Sequence, residues 1–198
     1  CTADAAVSAL YGLHASGSAG QPRIRPPELQ TRRLRERGFD ALVVDLRSVT
    51  PADDLLIEDL GQMRGGFICR VGHPLAKLNT PITFAHLQRY PLASTSLNPE
   101  LARLLITRYG PAADPQVAVT LRCNDINSLL HAVHGSDAVF LGLISPAREA
   151  IANGSLVELP ITPALNEGAR FAFVTLADRT EAPAMGIFRQ FVAEHLHD

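Results

Sequence analysis

Three short stretches place small polar side chains where a strand gives way to a helix: Cys1-Thr2-Ala3-Asp4, Ser94-Thr95-Ser96-Leu97-Asn98 and Cys123-Asn124-Asp125. Hydroxyls and carboxamides both donate and accept hydrogen bonds. The first turn of a helix adds unpaired N–H groups and the positive end of its dipole. In open parallel sheets, ligands sit beyond the carboxyl ends of the strands. Together these groups suit non-covalent recognition of a carboxylate or another polar, hydroxyl-rich small molecule. Ordinary helix capping uses the same residue types. The candidate ligand contacts are therefore Thr2, Asp4, Ser94, Thr95, Ser96, Asn124 and Asp125, each to be weighed against a capping role.

No catalytic set accompanies them. The chain has no Gly-x-Ser-x-Gly elbow, no His-Glu-x-x-His, no Walker loop and no Gly-x-Gly-x-x-Gly. Ser96 lacks a base at readable spacing. His131-x-x-His134 has the i, i+3 spacing that lets one helix face hold a metal, but beside Leu130 and Val133 the bland reading is a pair of solvated or half-buried histidines. His195-x-His197 sits at a chain end. Cys1, Cys69 and Cys123 are odd in number and form no Cys-x-x-Cys, which excludes a disulfide framework and a cysteine zinc knuckle. The expectation is a binding module with no enzymatic activity, no metal and no cofactor.

Composition narrows the class. The 198 residues are 46% hydrophobic and 19% charged, enough to bury a sizeable core in one larger domain or two small lobes. The 18 basic against 20 acidic residues give −2, a balance unsuited to holding nucleic acid over the whole surface. No run approaches ~18 uninterrupted apolar residues, so a membrane span is not expected. A lipidated Cys1 would want a flexible polar spacer, whereas Thr2-Ala3-Asp4 leads into a helical pattern. The basic residues are all arginine except Lys77, and Arg32, Arg33, Arg35 and Arg37 crowd one predicted helix. That helix has no interleaved aromatics and no recognition-helix pattern behind it, so it reads as a solvated or partner-facing surface.

The elements that must position the three turns follow from periodicity. Helices are predicted over 7–14, 28–37, 83–90, 98–109, 124–134, 145–152 and 181–196, the last burying Ile187, Phe188, Phe191 and Val192. Asn98-Pro99-Glu100 is a cap, a proline at the first helical position and an acid behind it, and Gly110 ends that helix. Strands are predicted over 23–25, 40–46, 55–60, 66–71, 91–95, 117–122, 137–143, 156–159 and 169–176, with 40–46 buried on both faces. Strands and helices alternate, which argues for α/β with largely parallel sheets. The alternation fails near 55–71 and near 156–176. Two α/β lobes account for both failures if the chain leaves the first near residue 69 and returns near 168.

Phe39-Asp40-Ala41-Leu42-Val43-Val44-Asp45 followed by Gly66-Phe67-Ile68-Cys69-Arg70-Val71-Gly72-His73-Pro74-Leu75-Ala76 resembles the effector-binding domain of LysR-type transcriptional regulators. In that family a Gly-x-x-Asp strand precedes a strand ending in His-Pro-Leu-Ala. A short helix then leads to a Tyr-Pro strand, matching 87–92. The stretch 124–143, with Gly135, is similar to the family's helix–Gly-x-Gly segment, its second glycine being replaced at Asp137 or its neighbour. The resemblance runs over most of the chain from Phe39 onward. It implies two Rossmann-like lobes like those of type II periplasmic binding proteins, joined by two crossover strands: lobe I from 1–68 and 169–198, lobe II from 69–168. It implies a cytoplasmic homodimer or homotetramer that senses a small-molecule effector between the lobes, at turns matching Thr2 and Asp4, Ser94 to Ser96, and Asn124 and Asp125. It places a winged helix-turn-helix, and with it DNA binding, N-terminal to this stretch, and it implies no membrane partner. A solute-binding protein of a transporter is the alternative on the same fold. An enzyme such as a dehydratase would need an acid–base set that does not read out.

Overall fold

The computed structural model describes residues 27–36, 38–178 and 183–195. Thr2, Asp4, the helix predicted at 7–14 and the strand predicted at 23–25 lie outside them. Along the chain come α1 (Pro27–Arg35), β1 (Leu42–Asp45), β2 (Leu55–Arg70), α2 (Phe84–Leu87), β3 (Leu92–Ser94), α3 (Pro99–Tyr109), α4 (Pro115–Ala118), β4 (Val119–Arg122), α5 (Ile126–His134), β5 (Val139–Leu143), α6 (Arg148–Ala152), β6 (Leu156–Glu158), β7 (Gly168–Leu176) and α7 (Pro183–His195). The chain divides into two compact units. Arg64–Glu167 forms one, and the residues before and after that stretch form the other.

In the unit made from the two chain ends, strand order is β1-β7-β2. β1 runs antiparallel to β7, with Leu42 opposite Val174 and Asp45 opposite Phe171. Leu34 of α1 packs with Leu42, Leu55, Ala172 and Val174. The apolar run at 40–46 was expected to be buried on both faces in a parallel sheet. Only its Leu42 is buried, because β7 is its one partner among the described strands. Asp45 turns instead to cap the following turn, accepting from Arg47 N–H at 3.0 Å.

β2 corrects a second expectation. Two strands were predicted, at 55–60 and 66–71, and the structure has one strand of 16 residues. Gly61 sits inside it at φ 120°, a conformation closed to residues with a Cβ, so the strand passes through where the sequence reads as a break. The Asp59 carboxylate accepts the Gly61 N–H at 3.0 Å. α7 also differs in its face. Val192 is buried, but Ile187 is 74% and Phe188 41% exposed. Arg189 takes the inner position, its guanidinium 5.0 Å from the Phe173 ring centroid and paired to Glu58 at 3.1 Å.

The Arg64–Glu167 unit carries two of the three sequence-predicted turns. β5 and β6 both run antiparallel to the second half of β2. β3 runs parallel to β5 on one side and to β4 on the other. The sheet is thus mixed rather than largely parallel, and parallel pairing is confined to strands linked through helices, as parallel geometry demands. Phe67, Leu105, Val139 and Leu141 lie in its core. Tyr109 stacks on Phe84 at 5.3 Å and meets Phe67 edge-on at 6.1 Å.

α3 starts and stops where its sequence says. Asn98 accepts the Leu101 N–H at 2.8 Å, and Gly110 closes the helix at φ 91°. On α5, Ile126, Leu129 and Val133 are buried. Among the described residues no helix is long and apolar enough to cross a membrane.

The His-Pro-Leu-Ala turn has a structural explanation. His73 is fully buried, and its Nδ1 accepts the Leu75 N–H at 3.0 Å. Nε2 must then carry the hydrogen, which it donates to the Asp137 carbonyl at 3.1 Å. The Asp137 carboxylate accepts from Arg70 at 2.6 Å. One imidazole therefore ties the turn after β2 to the loop before β5.

Candidate functional site

The site is built from the carboxyl ends of three adjacent parallel strands. Ser94 ends β3 opposite Arg122 at the end of β4, and β5 lies on the other side of β3. Leu92, Ala93 and Ser94 are all buried, so the polar residue closing β3 must find a partner. It does: Ser94 Oγ donates to the Leu141 carbonyl at 2.7 Å. Thr95 is also buried. The chain emerges at Ser96, which is exposed.

Ser96 and Asn124 meet across these strand ends. The Ser96 hydroxyl donates to Asn124 Oδ1 at 3.1 Å, and the Ser96 N–H approaches the same oxygen at 3.4 Å. Both residues are exposed. Accepting from a backbone N–H orients the carboxamide with its NH2 group facing away from Ser96, where it has no protein partner among the described residues. Asp125 has the other fate. Its carboxylate accepts the Asn127 N–H at 3.2 Å and the Ser128 hydroxyl at 2.5 Å, which makes it the cap of α5 and resolves the choice between Asn124 and Asp125. Asn98 is likewise committed to α3.

Of the sequence-predicted residues, the structure brings Ser96 and Asn124 into direct contact and places Ser94, Thr95 and Asp125 around them, with Ser94 and Asp125 holding backbone. Thr2 and Asp4 lie outside the described residues.

A group the sequence reading missed completes the edge. Ser145 follows β5 and opens a helical turn, and an Arg148 nitrogen lies 3.4 Å from its hydroxyl. The signal was present: Ser145-Pro146 after an apolar strand has the same cap-then-proline grammar as Asn98-Pro99. What was missing was knowledge that β5 lies beside β3.

Other titratable candidates stand apart. His131 and His134 are both exposed on α5, and no cluster of three metal-ligating side chains occurs among the described residues. Cys69 is a buried residue of β2, and loss of solvent pushes its thiol pKa up to about 12, with the Arg70 charge partly opposing the rise. Tyr109 is raised by the same loss of solvent. Neither group is poised for chemistry near neutral pH.

Comparison with known proteins follows the same lines. The family described as the LysR substrate binding domain matches residues 21–197. A putative transcriptional regulator from Vibrio parahaemolyticus superposes with TM-score 0.65 at 20% identity, covering 86% of this chain and 77% of that one. HinK, a LysR family transcriptional regulator from Pseudomonas aeruginosa, gives 0.61 at 16% identity over 86% of this chain, which spans 57% of HinK. The effector binding domain of QuiR, in complex with shikimate, gives 0.58 at 16% identity, covering 85% and 77%. No curated protein matches in sequence.

Proposed function

We propose, from the premise that this chain belongs to the LysR substrate-binding domain family, that its effector is a small carboxylate or polyhydroxy molecule received at the Ser96–Asn124 turn. Such a domain is the effector-binding regulatory part of a LysR-type transcriptional regulator and catalyses no reaction. The family match sets aside the solute-binding alternative. The observation that carries the choice of turn is the exposed Ser96–Asn124 pair, whose carboxamide NH2 has no partner among the described residues while its polar neighbours Ser94 and Asp125 are consumed by the fold. Ser145 stands at the neighbouring strand end, where its hydroxyl adds a polar group to the same edge. Shikimate, the ligand of the QuiR domain, is a hydroxylated carboxylate of this chemical kind.

The finer organisation in this reading is two Rossmann-like lobes, 1–68 with 169–198 and 69–168, joined by two crossovers in the manner of type II periplasmic binding proteins. The domain self-associates as a dimer or tetramer in the cytoplasm, and DNA is bound by a winged helix-turn-helix outside this stretch. The effector acts by its differential affinity for two conformations of the domain.

The test is a thermal-shift screen of carboxylates and polyols, shikimate included. A ligand present at about 100 times its Kd adds about 2.7 kcal/mol of stability. Its Kd should weaken several-fold in both Ser96→Ala and Asn124→Ala. An unchanged Kd in both variants removes the turn from the binding site.

A further inference from the structure

We propose that α3 is a strut coupling the Ser96–Asn124 turn to the crossover of the chain at Glu167, so that the state of the turn sets the mobility of that crossover. The inference takes its starting point from the functional reading of the turn but concerns a connection no effector is needed to reveal.

The carboxyl end of α3 grips the segment by which the chain leaves the Arg64–Glu167 unit. Arg108 donates to Glu167 Oε1 at 2.8 Å and also to the Ala164 carbonyl. The Tyr109 hydroxyl donates to the Pro163 carbonyl at 2.9 Å. Among the described residues Glu167 Oε2 is buried with no hydrogen-bond partner, and Arg108 is the cation paired with that carboxylate. The Glu167 carbonyl in turn accepts the Gly65 N–H at 3.2 Å, one residue past the point where the chain entered the unit. A Cβ at Gly65 would lie 2.8 Å from that carbonyl oxygen, so the two crossing segments are in close backbone contact. One helix end thus holds one crossing directly and the other through it.

The amino end of the same helix begins at Asn98, two residues after Ser96. Between the two ends, Leu105 is buried and Tyr109 is wedged against Phe84 and Phe67. Eleven helical residues span about 16 Å and move as a rigid body. A displacement at the Ser96 turn is therefore passed to Arg108 and Tyr109 rather than absorbed along the way. Closely packed interfaces answer such displacements by discrete shifts rather than by smooth deformation.

The experiment is amide hydrogen exchange, read by mass spectrometry on the whole 198-residue chain, in wild type, Asn124→Ala, Arg108→Met and the double variant. Asn124→Ala loosens the turn without touching the crossover, and it should raise exchange in residues 162–168 several-fold. In the Arg108→Met background the same change should add nothing, because the strut is already detached. If Arg108→Met does not fold, Glu167→Gln replaces it in the same cycle. No change at 162–168 in Asn124→Ala, or strictly additive effects in the double variant, overturns the coupling. Because no ligand is present, these outcomes are independent of whether the screen above finds an effector.

Discussion

Two polar clusters of the Arg64–Glu167 unit use similar chemistry to opposite ends. Around His73, every polar atom is spent: both ring nitrogens are bonded to backbone and the side chain is fully buried. Around Ser96 and Asn124, the groups bond to each other and remain exposed. A buried polar group costs stability unless it is satisfied, so evolution can leave it no spare valence. An exposed one exchanges freely with water and is available to a ligand. Burial decides which of these polar groups must be fully bonded within the fold and which can remain open to water.

Substitutions that break the contrast should rank accordingly. His73→Ala strands the Leu75 N–H and the Asp137 carbonyl and opens a void, for a loss of about 3 kcal/mol in urea denaturation. Ser94→Ala removes one buried hydroxyl bond to β5 and should cost about 1 kcal/mol in the same assay. Ser96→Ala and Asn124→Ala should stay within about 0.5 kcal/mol of wild type, since neither side chain is buried or caps a helix. A loss at Ser96 or Asn124 comparable to that at His73 would erase the contrast between the two clusters.

The smallest effect belongs to the other unit and depends on pH. The Arg35 guanidinium hydrogen-bonded to Asp54 holds that carboxyl below its ordinary value. The Gly61 N–H, seconded by Arg170, does the same for Asp59. A carboxyl whose folded value is depressed contributes stability that is complete above its unfolded value and is lost as pH falls through the folded one. Both groups are exposed, so an acid titration of the melting temperature should show a shallow decline below the carboxylate range. Added salt should flatten it. Asp54→Asn should remove part of the slope, and an unaltered slope would show that the Arg35 pair contributes nothing.

Much of the local structure was legible. Asn98-Pro99-Glu100 and Gly110 mark α3 because a cap, a proline and a positive-φ glycine each have one cheap position on a helix. Thr83 opens α2 with His86 as its reciprocal partner for the same reason. Ser96 and Asn124 were legible as candidates, since small polar residues after a strand are informative. Other features were not. Gly61 reads as a break, yet only its backbone angle, set by the neighbouring strands, decides that β2 continues. Ile187 and Phe188 share the helical stripe with Val192, and only the tertiary structure decides that Ile187 stays exposed while Phe188 and Arg189 both meet the Phe173 ring.

What the sequence by itself determined was where α3 begins and ends, which residues are apolar enough to demand burial, and which turns carry polar groups; α4 overlaps the strand expected at 117–122. Those properties depend on a residue and its near neighbours: capping geometry, proline's missing donor and helical periodicity all act within a few positions. Only the tertiary structure decided that Ser94 bonds to β5, that Asp125 is a cap while Asn124 reaches Ser96, that Ser145 shares their edge, and that Arg108 meets Glu167. Each of these pairs a residue with a strand or helix chosen by packing, and hydrogen bonds of a few ångströms are fixed only once the sheet order is.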